Sequence, residues 1–230
     1  MKRRTLLAAA ALFSLLTLAV QSQELHAGDI EISVVDNRLT VSGNHVFHTD
    51  GSPVFEGDFG DIAGGPYGTD DPGFDSDDGT FLAGTIVRYT ALGSLKYWNG
   101  STWQASVPGN EYLQMDGNLG EETRWTVSGL TGAPSGLVGQ AGINGTVHEH
   151  LDFRVGRAGG VPAVGAYLFQ LQLTADKGYL PSMPYYVAMN HGLTVDAFET
   201  AVAAVPEPQT WALMLGGLAI GAFALRNRRH

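Results

Sequence analysis

The sequence predicts a mainly β fold, an antiparallel β-sandwich of jelly-roll or Ig-like kind closed by one short amphipathic helix. Three observations carry that reading. Short runs rich in Val, Ile, Leu, Phe, Tyr and Trp recur along the body, turn residues punctuate nearly all of them, and 31 glycines leave little room for long helices. Near the C-terminal end a single segment changes its apolar period from that of a strand to that of a helix. An apolar helix is expected at each terminus, outside the domain, which divides the chain into residues 1–27, 28–205 and 206–230.

Residues 1–27 begin with Lys2-Arg3-Arg4, continue through an apolar stretch from Leu6 to Val20, and end in Leu25-His26-Ala27. A basic start, a short apolar core and a small residue at the end form the layout of a secretory signal peptide. Ala27 is the expected cleavage position and Ser22 the alternative. Export would involve signal peptidase and a transient stay in the inner membrane.

The body begins with Ile30, Ile32 and Val34 at alternate positions, then Asp36-Asn37, then Leu39 and Val41, the signature of a hairpin with one buried face. Further strand runs are expected at 81–89, 95–98, 111–115, 124–130, 146–153, 164–173 and 184–190. Between Glu56 and Gly79 lies a stretch of Gly, Asp and Pro too long for a simple turn. After Gly192, the residues Phe198, Ala201, Val202 and Val205 recur at helical spacing, and Thr194 stands where an N-cap belongs.

Composition excludes several function classes. Seven basic residues in the body face 21 acidic ones, a formal charge of about −14, which repels nucleic acid. With no cysteine, disulfides, thiolate metal sites and cysteine nucleophiles are all absent, so any metal must sit on His, Asp, Glu or carbonyl oxygen. No nucleophile elbow, phosphate-binding loop, dinucleotide fingerprint or His-Glu-x-x-His helix occurs, and the chain is expected to be non-enzymatic.

The strongest chemical signal is Thr146-Val-His148-Glu-His150-Leu-Asp152-Phe153. A strand's period of two places His148, His150 and Asp152 on one face and aims Glu149 at the other. Two imidazoles and a carboxylate suit a zinc-like cation, while an exposed polar strand face reads the same pattern without one. His45, His48 and His191 are candidates to complete the site, although a strict strand would point His45 and His48 to opposite faces. Five carboxylates between Asp70 and Asp78 form a second constellation, with Asp75, Asp77 and Asp78 as candidate calcium ligands; a solvated acidic loop is the alternative. Tyr97, Trp98 and Trp103 could stack on sugar or simply pack.

The C-terminal segment runs Val205-Pro206-Glu207-Pro208, then an apolar stretch from Trp211 to Leu225, then a basic cluster with Arg226, Arg228 and Arg229. A Pro-flanked acid, a marginal membrane helix and a basic stop in that order resemble the PEP-CTERM sorting signal. The resemblance implies processing by an exosortase near Pro206 to Pro208, and a host that makes exopolysaccharide, a potential partner. Gly28-Asp-Ile-Glu-Ile32, His148-Glu-His-Leu-Asp-Phe153, Gly165-Ala-Tyr-Leu168 and Tyr186-Val-Ala-Met-Asn-His-Gly-Leu193 look like a group of PEP-CTERM proteins repressed by the zinc uptake regulator. That likeness implies a zinc-scavenging or zinc-sparing role at the surface. The sequence thus reads as an exported envelope protein binding zinc or a similar metal. The alternatives are a matrix or adhesion component, with calcium, and a zinc-dependent hydrolase.

Overall fold

A computed structural model describes residues 28–43, 46–47, 53–60 and 65–205. Both apolar terminal stretches lie outside them, and among the described residues no helix is long and apolar enough to cross a membrane.

The described residues form three β-sheets. In the smallest, Ile30–Val35 pairs antiparallel with Arg38–Ser42 and parallel with Phe74–Asp75, which in turn pairs with His148–Glu149. Its hairpin turns on Asp36 and Asn37, both left-handed at φ 49° and 62°, the two-residue geometry that matches strand twist and that Asp and Asn tolerate. The second sheet runs Gly129–Gly132, Glu122–Thr126, Glu111–Asp116, Asp152–Arg157, Gly68–Thr69, antiparallel throughout. The largest runs Ser135–Gln140, Ile86–Trp98, Gly165–Ala175, Tyr185–His191, Pro53–Asp58, Val46–Phe47, with Trp103–Gln104 added to the end of Ile86–Trp98. Its pair Tyr185–His191 with Pro53–Asp58 is parallel, so the sandwich is mixed rather than purely antiparallel.

One core cluster draws inward-facing residues from all three sheets, among them Ile30, Ile32, Phe74, Trp125, Phe153, Phe169 and Val187. The opposite face of the largest sheet is covered as well. Val54, Trp98, Ala166, Leu168 and Ala188 project there against helix α1, Val195–Ala203, which contributes Phe198, Ala201 and Val202. Burial of side chains such as Phe198 and Val202 is worth roughly 1.5–3 kcal/mol each, enough to hold a helix too short to stand alone. Thr194 caps it, its hydroxyl accepting from the Ala197 N–H.

Three expectations are corrected by tertiary pairing. The runs at 81–89 and 95–98 are parts of one strand starting at Ile86; Gly93, at φ 68°, is a bulge inside it, where the register against Gly165–Ala175 shifts. The run 124–130 is a hairpin of two strands. The run 146–153 breaks after Glu149 and resumes at Asp152 in a different sheet.

Candidate metal centre

The break after Glu149 builds the site. His148 lies at the edge of the small sheet, opposite Asp75, and its Nδ1 stands 3.4 Å from that carboxylate. His150 falls in the gap between the two strands, its ring 5.3 Å from that of His148. The outward direction survives the break: Val147, Leu151 and Phe153 are buried while His148, His150 and Asp152 face solvent.

Asp29 reaches the same spot from the residue before Ile30–Val35, and Gly73 joins the two. Gly73 donates its N–H to Asp29 Oδ1 at 3.1 Å, and its carbonyl accepts the Ile30 N–H at 2.8 Å. A Cβ on Gly73 would lie 2.6 Å from His150 Cε1 and 2.8 Å from Asp29 Oδ1, so only glycine leaves room for both. The imidazole of His150 is oriented by the Asp70 carbonyl, 3.0 Å from Nδ1. A carbonyl only accepts, so Nδ1 carries the hydrogen and, in the neutral ring, Nε2 offers a lone pair. That nitrogen faces Asp29 Oδ2 at 3.9 Å, while Asp71 Oδ1 lies 3.4 Å from Nδ1.

Asp29, His148 and His150 each present a ligand atom, and these atoms all lie within 4.8 Å of one another. Zinc bonds to nitrogen and carboxylate oxygen at about 2.0–2.2 Å, so closing on one ion would draw the atoms together by roughly an ångström. His148, with 64% of its side chain exposed, has the freedom to make that adjustment.

The other candidates go elsewhere. Asp152 leaves the cluster because it sits in the second sheet, where its carboxylate faces Arg154 at 3.5 Å. His191 is 9% exposed, its Nδ1 donating to the Ala163 carbonyl at 2.9 Å and its ring packed beside Tyr67 and Phe59. His45 and His48 lie outside the described residues. Of the acidic loop, Asp75 accepts from the Ser76 N–H as well as facing His148, Asp78 accepts from Asn144, and Asp77 is exposed. Glu149 accepts from Asn118 and packs its stem against Gly139. The aromatics are packed: Trp98 and Trp103 meet as a tilted pair under α1, Trp103 donates to the Ala201 carbonyl, and Tyr97 donates to the Val164 carbonyl.

Sequence reasoning missed Asp29 and the glycine that holds it. Asp29 stands one residue before an obvious strand, and its contacts span 44 positions to Gly73, a distance no local period encodes.

Pro206, Glu207, Pro208, Arg226, Arg228 and Arg229 lie outside the described residues, and comparison with known families concerns this end of the chain. Residues 204–229 match the PEP-CTERM protein-sorting motif. No curated protein matches the chain. The matched segment begins at the last described residues, where Ala204 caps α1 and Val205 is buried beside it. The chain is therefore an exported protein bearing a PEP-CTERM motif, a C-terminal membrane-anchoring sorting signal through which an exosortase recognises it during export.

Proposed function

We propose that the exported domain captures a divalent transition metal, zinc in the first place, at His148, His150 and Asp29, and that it does so without catalysis. The observation that carries this reading is the convergence of Asp29 with the His148–His150 stretch from a distant part of the chain, with glycine required at position 73 to admit Asp29 and His150. Support comes from the Asp70 carbonyl, which orients His150 as outer partners orient metal-bound imidazoles. Glu149, the carboxylate adjacent in sequence, is committed to Asn118 and so is poorly placed as a general base. Imidazole also accepts copper and nickel, and supply decides among them.

Calorimetric titration of the exported protein with zinc, and separately with calcium, tests the proposal. One zinc site of micromolar affinity or tighter, lost in the His148→Ala/His150→Ala variant, is the expected result. Calcium binding without zinc binding would favour the matrix component instead. Hydrolysis of ester or peptide substrates by the zinc-loaded protein would overturn the non-catalytic half of the proposal.

A further inference from the structure

Three protein groups leave a four-coordinate metal one position short, and closed zinc sites hold four ligands. The missing ligand is best sought among atoms tethered to the three already placed. Asp29 is the second residue of the body, and Gly28, half-buried, immediately precedes it. The segment is fixed in place: Ile30 is fully buried, its N–H is bonded to Gly73, and the Asp29 carboxylate accepts from the same glycine. Adjacent α-carbons are about 3.8 Å apart, so the Gly28 nitrogen stays within a few ångströms of the Asp29 side chain. Without a Cβ, Gly28 can turn that nitrogen toward the site at low steric cost.

What the nitrogen can do there depends on the leader. While Ala27 is attached, it is an amide that donates a hydrogen bond and offers no lone pair to a metal. Hydrolysis of the Ala27–Gly28 bond adds water, placing hydroxyl on the Ala27 carbonyl carbon and a proton on the Gly28 nitrogen. The product amine, once deprotonated, is a metal ligand of imidazole-like softness and supplies the fourth position.

We propose that removal of the leader after Ala27 completes the metal centre, the new Gly28 α-amine joining Asp29, His148 and His150, so that full affinity appears only after export. This rests on the metal reading above. It makes the site conditional on location, because a leader-bearing chain inside the cell would not compete for the cell's own zinc with its full set of ligands.

The test compares exported protein, its N-terminus read by intact mass, with a full-length Ala27→Leu chain that retains its leader. The comparator also carries His26→Ala, so that no leader imidazole substitutes for the amine. Both are titrated with zinc in the same detergent against a chelating dye, and the α-amine of the exported form is challenged with an acylating reagent with and without zinc. The proposal expects an N-terminus at Gly28, zinc affinity about tenfold or more above the comparator, as loss of one ligand-level interaction implies, and an amine protected by zinc. Equal affinity in the two forms, an amine acylated regardless of zinc, or cleavage after Ser22 would overturn it. Equal and tight binding in both forms would leave the three-residue site standing, whereas failure of both forms to bind zinc would remove that site as well.

Discussion

His148 and His150 on one side, and His191 on the other, show one residue type put to two uses. His191 is packed beside Tyr67 and Phe59, and its Nδ1 donates to the Ala163 carbonyl, which also accepts from the Tyr167 hydroxyl. It completes a core. His148 and His150 stand at a strand break, part-exposed, with Asp29, Asp71 and Asp75 around them. Their surroundings are carboxylates rather than rings, and the arrangement gains little for packing. An imidazole's role is thus set by what the fold places against it.

Removing the core histidine should have the largest effect on folding. His191→Ala deletes a buried ring and a hydrogen bond, costing about 2–4 kcal/mol and lowering the melting temperature by roughly 5–10 °C, with zinc affinity unchanged. Thermal unfolding with a parallel zinc titration checks both halves. A loss of zinc binding in the folded variant would erase the distinction between the two regions.

Gly73→Ala attacks the other region without touching a ligand. The added methyl group must displace His150 or Asp29, so zinc affinity should fall about 10–100-fold, the usual range for disturbing a group that supports a ligand. Unchanged affinity, measured by calorimetry on a variant with native circular dichroism, would mean that the two side chains do not act together.

Asp29→Asn and Asp152→Asn then separate the sequence's choice of carboxylate from the structure's. The first should weaken zinc by about tenfold, or 1.4 kcal/mol, and the second should leave it within about twofold. The reverse order in the same titration would restore Asp152 to the site and remove Asp29 from it.

That substitution pair also marks where sequence stops being legible. The hairpin around Asp36-Asn37 could be read because both strands and the turn are local, and α1 because its cap and apolar stripe lie within a dozen residues. The shared outward face of His148 and His150 was legible for the same reason. The alternation of buried and exposed positions continues from Val147 to Phe153 across the break, which concealed the change of sheet and made Asp152 look like a partner. The strand Ile86–Trp98 reads as two runs because the bulge at Gly93 asks for the same residue as a turn. Asp29 was invisible since only the pairing of Ile30–Val35 with Phe74–Asp75 brings it to the histidines.

The smallest effect extends the comparison from imidazoles to carboxylates. Asp29 has histidines for company, whereas Glu56 on the largest sheet has burial, then Glu199 of α1 and its own neighbour Asp58. Burial first, and those two like charges next, raise its carboxyl above the ordinary value. With the folded value above the unfolded one, Glu56 contributes most to stability when protonated, and that contribution is lost as pH rises through the raised value. Glu56→Gln should therefore stabilise the protein at pH 7, by about 1–3 °C once screening at a partly exposed site is allowed for, and have little effect near pH 3. Melting curves at the two pH values check the sign. A variant that is less stable at pH 7 would show that Glu56, like Asp29, has a favourable partner, and the contrast between a carboxylate placed for a cation and one merely tolerated beside α1 would fail.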